Sequence, residues 1–198
     1  MKLIQLLCAS VLFAAFTSQA ADIEPSTIVK SNVDEVLSVI KQSKDKRALF
    51  ELAEQKIASH FDFQAMTQQA SGRFWRDANP EQRRRLENAF RGLLVRTYTA
   101  ALTQSNLADV IVDVKPTMAK PGQDEVIVRT VARQSGKQPI AIDYRMAGTS
   151  SGWKVNDVIV ENLSLVTNYR DSFSAEIGRS GIDGLIKMIE AKNQSNAN

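Results

Sequence analysis

The hydrophobic positions of the chain have a helical spacing in its first half and again near its end. Apolar residues recur every three or four positions, which predicts amphipathic helices at 25–41, 48–59, 63–70 and 80 to about 103. The longest of these helices has the clearest start, because Asn79 can cap it, Pro80 suits its first position and Gln82 can reach back as a capping-box partner. Helical spacing returns at 162–177 and 182–191, on either side of Gly178 and Gly181.

Between these helical regions the apolar residues alternate with polar ones, which is typical of half-buried strands. Such runs begin at Asp109, Val126, Ile140 and Trp153, and glycine-containing turns separate the later ones. The last run alternates through Trp153, Val155, Asp157 and Ile159. Short gaps between strands favour antiparallel neighbours. The pattern therefore predicts an α+β fold in which helices cover a four-stranded antiparallel sheet.

The first twenty residues have the pattern of a secretory signal peptide. Lys2 supplies a positive start, residues 3–16 are apolar and uncharged, and Ala20 ends a short run of small residues suited to a signal peptidase. We expect cleavage after Ala20, export of the protein, and one domain at 21–198. The only cysteine, Cys8, lies in the removed segment, so the mature chain has no disulfide and no thiol nucleophile.

Composition and motifs give little support to catalysis, metal binding or nucleic-acid binding. The chain is 43% hydrophobic and 24% charged with a net charge of +3, which is ordinary for a globular protein and too mild to indicate nucleic acid. One histidine, His60, and carboxylates without ligand spacing do not make a metal site. The G-x-S-x-G motif around Ser150 lies between two predicted strands, and no histidine follows it, so we interpret it as a hairpin turn. We expect no catalytic residue, metal or cofactor.

A basic segment at 71–100 allows two interpretations. It contains seven arginines against three acidic residues, so it could form a surface for anionic lipid or for an acidic partner. It could equally be a solvated helix face, because Glu81 with Arg85 and Glu87 with Arg91 have the spacing of stabilising i,i+4 pairs. We favour the solvated face.

Two stretches, 60–102 and 152–185, resemble the MlaC family of periplasmic phospholipid-binding proteins, also called toluene-tolerance proteins. The shared marks are F-D-F at 61–63, Trp75, P-x-Q at 80–82, and the run W-K-V-x-D-V-x-V-E-x-L-S-L-V-x-x-Y-R from Trp153 to Arg170, followed by G-I-D-G-L. The resemblance covers nearly the whole mature chain. One departure is the polar, alanine-rich segment 64–71, which is more apolar in relatives.

The resemblance implies an NTF2-like outline in which a four-stranded sheet and helices enclose an apolar cavity for the acyl chains of a phospholipid. It also implies a periplasmic shuttle between an outer-membrane lipoprotein–porin complex and an inner-membrane ABC transporter complex with its MCE-domain ring. Such traffic keeps phospholipid out of the outer leaflet. We expect no nucleic acid as partner, because the protein is predicted to be exported.

The facing apolar positions suggest which residues line that cavity. We expect the lipid-binding wall to contain Val126, Val128, Ile142, Tyr144, Met146, Trp153, Val155, Phe90, Leu94, Tyr98, Leu163, Val166, Tyr169 and Phe173. Periodicity alone does not separate a hollow interior from a filled one. Two alternatives therefore stay open: a periplasmic adaptor with a filled core, and an NTF2-like enzyme that uses Asp143 or Asp157 as a base.

Overall fold

The computed structural model describes residues 24–42, 45–107 and 109–195, and the expected signal peptide lies outside these ranges. The helices are α1 (Pro25–Gln42), α2 (Lys46–Gln55), α3 (Phe63–Ser71), α4 (Phe74–Asp77), α5 (Pro80–Gln104) and α6 (Leu165–Ser195), with a 3₁₀ turn at Ile57–His60. The strands are β1 (Ile111–Val114), β2 (Glu125–Arg133), β3 (Ile140–Thr149), β4 (Gly152–Val160) and β5 (Leu163–Ser164). No helix in the described ranges is long and apolar enough to cross a membrane.

The sheet confirms the predicted antiparallel meander but has one more strand than expected. Its strands lie in chain order from β1 to β5. The extra strand forms because Glu161 and Asn162 both adopt positive φ angles, of 51° and 67°, and turn Leu163 back beside Val160. As a result, the last helix begins at Leu165 and not at Asn162 as its spacing suggested. The G-x-S-x-G motif is the turn between β3 and β4, as interpreted above.

The cap predicted for α5 is present in full. The Asn79 side chain accepts from the backbone N–H of Gln82 at 2.8 Å, and the Gln82 side chain accepts from the backbone N–H of Asn79 at 3.1 Å. Pro80 occupies the first helical position, and α5 runs for 25 residues. This cap satisfies backbone N–H groups that the first turn of α5 would otherwise leave unpaired.

Helix α6 is interrupted at Gly181 and continues through Gly178. Gly181 has φ 73° and ψ 179°, a backbone conformation that is essentially restricted to glycine. Gly178 keeps helical angles, so the break expected there is wrong. The kink lets the second half of α6 turn and bury Leu185, Ile186 and Ile189 in the helical layer.

Alanine at the two glycines is expected to have opposite effects on stability. Gly181→Ala forces a side chain into the strained conformation and should lower the free energy of unfolding by about 1–3 kcal/mol. Gly178→Ala places a better helix former where open space surrounds the new methyl group. This change should raise the free energy of unfolding by up to about 1 kcal/mol. Urea unfolding followed by circular dichroism measures both; equal effects of the two changes would show that Gly181 carries no conformational constraint.

A β-bulge in β4 changes which side chains share a face. Arg145 pairs with Asp157 and Met146 pairs with Val155, so Asn156 is an extra residue opposite them. The alternation expected through Trp153, Val155, Asp157 and Ile159 therefore breaks at this point. The first two of these residues lie on one face of the sheet and the last two lie on the other.

Candidate functional site

The two faces of the sheet differ in chemistry. One, the apolar side, carries the uncharged residues Val126, Val128, Thr130, Ile142, Tyr144, Met146, Trp153, Val155, Val158 and Val160. The other, the charged side, carries Glu125, Arg129, Asp143, Arg145 and Asp157. A ligand that contacts the apolar side of β2–β4 therefore meets no charged residue of these strands.

The buried apolar residues of the described chain form two clusters and not one continuous core. The helix cluster is built from α3, α5 and α6 around Phe90 and Phe173. The sheet cluster consists of Val29 from α1 with Val126, Val128, Met146 and Val155. A domain of this size usually closes one contiguous core. Phe61 is the residue that packs against both clusters.

The helical layer is joined to the sheet along β4. The backbone N–H of Asp62 donates to the Val155 carbonyl at 2.8 Å, while the Asp62 side chain caps α3 by accepting from Ala65. Phe61 and Phe63 stack with ring centroids 5.8 Å apart. The F-D-F element therefore ties α3 to β4 and places one aromatic ring between the two clusters.

A second joint on β4 holds the start of α6. The Asp157 carboxylate is 1% exposed, and it accepts from the Ser164 hydroxyl at 2.7 Å and from the Val166 backbone N–H at 3.2 Å. The Arg145 guanidinium also donates to it at 3.4 Å. Helix α5, in contrast, packs mainly on α2, α3 and α6. The layers are thus fastened at β4. We call the boundary between the partly buried margins of the two clusters the gap; Tyr144 and Val158 lie on its sheet side, and Val95 and Tyr169 lie on its helix side.

The expected wall residues divide between buried positions and the margins of the clusters. Eight are buried within the two clusters: Val126, Val128, Met146, Val155, Phe90, Leu94, Val166 and Phe173. Four are partly buried: Tyr144 and Trp153 pack on the sheet cluster, Tyr169 packs on the helix cluster, and Ile142 lies on the apolar side. Tyr98 is 42% exposed on α5. Their role in lining a lipid cavity stays a prediction.

Leu163 differs most from its expected position. It was expected on an inward helix face, but it lies on β5 beside Val160 and is 75% exposed. The early turn at 161–162 removes it from the helix. It is therefore an edge residue of the sheet.

Sequence reasoning missed residues on the sheet side of the gap. Val158 and Val160 lie on the apolar side because the bulge shifts the alternation of β4. Ile28 and Val33 of α1 pack on the sheet cluster. No local signal identifies the valines, because the alternation of β4 does not show where its register changes.

All three tyrosines of the chain are in the expected wall, and the pKa of each is raised. Burial raises the pKa of Tyr144 to about 12. Burial, with a smaller contribution from nearby Tyr169, raises the pKa of Tyr98 to about 12, and burial raises the pKa of Tyr169 as well. The three phenols therefore stay neutral hydrogen-bond donors at any physiological pH.

An alkaline titration is expected to show these shifts. Tyrosinate absorbance should appear near pH 10 in denatured protein and nearer pH 12 in folded protein. Because the folded pKa lies above the unfolded value, the tyrosines' contribution to stability is complete below pH 10 and is lost as the pH rises towards 12. Coincident folded and denatured curves would contradict the burial of the phenols.

Most arginines of the segment 71–100 are used within the protein. Three of them form ion pairs: Arg84 with Glu81, Arg85 with Glu190, and Arg91 with Glu54. The expected i,i+4 pairs are not the ones formed: Glu81 pairs with Arg84 on α5 itself, and Arg85 and Arg91 find carboxylates on α6 and α2. Arg83 donates to the carbonyls of Trp75 and Arg76. The segment thus acts largely as a network that ties helices together.

A smaller basic region remains around α4. Arg73 lies over the ring of Phe74, and Arg170 donates to the Gln69 carbonyl. They border a surface groove of about 530 Å³ that Gly72, Ser174 and Gly178 also line. Among the described residues no carboxylate pairs with either arginine.

The comparisons with known proteins agree with this architecture. The sequence pattern of the MlaC protein family matches residues 30–191. The toluene tolerance protein ttg2D of Pseudomonas putida is 25% identical over 180 residues, which cover 87% of this chain and 82% of that protein. A phospholipid-binding protein from Ralstonia solanacearum, solved in complex with a phospholipid, is 35% identical, with a TM-score of 0.78 over 89% of this chain and 100% of that one. Because the family match spans most of the chain, the protein belongs to the MlaC family.

Proposed function

We propose that this protein is a periplasmic phospholipid carrier that holds acyl chains in the gap between the sheet cluster and the helix cluster. The observation that carries the proposal is the division of the apolar interior of the described residues into two clusters, with Phe61 packed against both. Family membership and the lipid complex of the Ralstonia solanacearum relative support it.

The energetics of acyl chains explain why a carrier needs such an interior. Moving a methylene out of water is worth about 0.8 kcal/mol, so two chains of about fifteen methylenes each would cost on the order of 24 kcal/mol to expose. A lipid can therefore cross an aqueous compartment only if its chains are enclosed. Burial of this kind is non-directional, so selectivity for chain length should be loose.

The wall proposed for the tails combines the margins of both clusters. Ile142, Tyr144 and Val158 supply the sheet side, and Val95 and Tyr169 supply the helix side. All are partly buried, as expected of residues that a ligand covers further. The buried residues behind them, such as Val128 and Phe90, hold the walls in place.

The enzyme alternative is weakened by the positions of its two candidate bases. Asp143 and Asp157 both lie on the charged side of the sheet, away from the apolar side. The Asp157 carboxylate is also occupied by Ser164 and Val166. We therefore propose a non-enzymatic role, in which lipid passes between outer-membrane and inner-membrane Mla complexes and helps to keep the outer leaflet free of phospholipid.

Transfer between vesicles tests the carrier role. Donor vesicles contain a self-quenched fluorescent phospholipid and acceptor vesicles contain none, and the mature protein is added without any partner complex. The expected result is dequenching whose rate rises with protein concentration. A rate equal to spontaneous exchange, from a protein that binds the lipid, would exclude free shuttling; an adaptor with a filled core would neither bind nor transfer.

A further inference from the structure

The hydroxyl of Tyr144 has no hydrogen-bond partner among the residues that the structure describes. Tyr144 lies on the apolar side of β3, paired with Val128 on β2 and Val158 on β4. No described residue donates to this hydroxyl or accepts from it. Tyr144 is partly buried, and its hydroxyl is not fully enclosed. A tyrosine hydroxyl that a ligand buries usually finds a hydrogen-bond partner, because leaving it unpaired away from water is unfavourable. In the free protein water can serve this hydroxyl, and a hydrocarbon chain that displaces the water cannot.

The neighbours of Tyr144 determine what kind of ligand atom suits it. Its lateral neighbours Val128 and Val158 are apolar, and the apolar side of β2–β4 carries no charge. A phosphate placed there would lose its hydration without gaining a cation, which is costly. A neutral carbonyl oxygen accepts one hydrogen bond without that penalty. In a glycerophospholipid the neutral carbonyls are those of the two esters that join the tails to glycerol.

We propose that the Tyr144 hydroxyl donates a hydrogen bond to an ester carbonyl of the bound phospholipid, and so makes the protein select diacyl over dialkyl lipids. This inference rests on the proposed function. The hydrogen bond would fix how far the tails enter, with the esters at the depth of Tyr144 and the charged head group beyond the apolar side. Because burial raises the pKa of this phenol to about 12, it remains a donor across the range in which the protein operates.

A comparison of ester and ether lipids tests this contact directly. The delipidated protein is incubated with vesicles that contain equal amounts of a diacyl and a dialkyl phosphatidylethanolamine of matched chain length, and native mass spectrometry measures the bound ratio. The wild type should prefer the diacyl lipid by about three- to tenfold, the size of one neutral hydrogen bond. Tyr144→Phe keeps the ring and should bring the ratio close to one.

A matched variant removes a different hydroxyl from the same side of the sheet. The Thr130 hydroxyl already donates to the Ile142 carbonyl at 2.6 Å, so it is not available to a ligand. Thr130→Val should therefore keep the preference for the diacyl lipid. Loss of the preference in this variant as well would show that the effect comes from disturbed packing and would overturn the proposal.

The remaining outcomes distinguish a failure of the Tyr144 ester contact from a failure of the proposed carrier function. If the wild type binds both lipids equally, or if Tyr144→Phe keeps the preference, the protein is still a lipid carrier but Tyr144 does not recognise the ester. If neither lipid binds, the proposed function fails, and the ester contact fails with it.

Discussion

Replacing Ile142 by aspartate is expected to reduce phospholipid binding by more than 100-fold while the protein stays folded. Ile142 lies on the apolar side of β3, between Thr130 and Val160, and is only partly buried in the free protein. A carboxylate at this position can stay hydrated until acyl chains cover it. Once they do, it becomes an unpaired charge in an apolar site, which costs several kcal/mol, and each 1.4 kcal/mol is a factor of about ten in affinity.

The matched control for Ile142→Asp lies on the other side of the sheet. Ile127 on β2 is 41% exposed and pairs with Arg145 on the charged side. Ile127→Asp makes the same chemical change and should leave binding within about twofold of the wild type, because exposed substitutions away from a site have small effects. Binding is measured by titrating the protein with a fluorescent phospholipid, and thermal unfolding checks that both variants are folded. Equal binding by both variants would show that the apolar side of β3 does not contact lipid.

Asp157→Ala is expected to lower the free energy of unfolding by about 3 kcal/mol. The carboxylate is buried and satisfies the Ser164 hydroxyl and the backbone N–H of Val166 at the start of α6. Removing it leaves these two donors without their acceptor, whereas Arg145 is about one-third exposed and keeps Glu125 at 3.6 Å. Hydrogen bonds to a charged group are worth about 1.5–3 kcal/mol each, so the lost contacts to Ser164 and Val166 account for the expected change.

Asp143 provides the comparison for this stability prediction. It lies on the same charged side, one strand away, and no hydrogen bond or ion pair holds its carboxylate among the described residues. Asp143→Ala should therefore change the free energy of unfolding by no more than about 0.5 kcal/mol. Chemical denaturation of the two variants gives the values. Losses of the same size would mean that Asp157 does not fasten α6 to the sheet.

The sequence predicted those local elements well that depend on contacts between residues close together in the chain. The cap formed by Asn79 and Gln82 is a contact between neighbours in the chain, so residue types alone identify it. The hairpin at Ser150 and the break at Gly181 are likewise set by the local backbone. The family resemblance, carried by the F-D-F element and by the run from Trp153 to Arg170, agrees with the matched family and with the α+β architecture.

The errors occurred where the backbone changes register. Nothing in the alternation of β4 shows that Asn156 is an extra residue, so Val158 was missed and Ile159 was placed on the wrong face. The turn at 161–162 likewise moved Leu163 from a helix to a sheet edge. Periodicity reports which side chains share a face only while the register is constant.

The sequence also could not show how the two apolar layers meet. Hydrophobic stripes on α5 and on β3 have the same pattern whether they close on each other or leave room for a ligand. The division into two clusters depends on where α3 and α6 are fastened to β4, through Asp62 and Asp157. These are long-range contacts that no local pattern reports.

Native mass spectrometry of the exported, purified protein tests most directly whether the gap encloses phospholipid. We expect a protein mass increased by at least one glycerophospholipid, released intact on activation, and reloading of delipidated protein from vesicles. A protein that carries no lipid as isolated, and takes up none from vesicles, would contradict it.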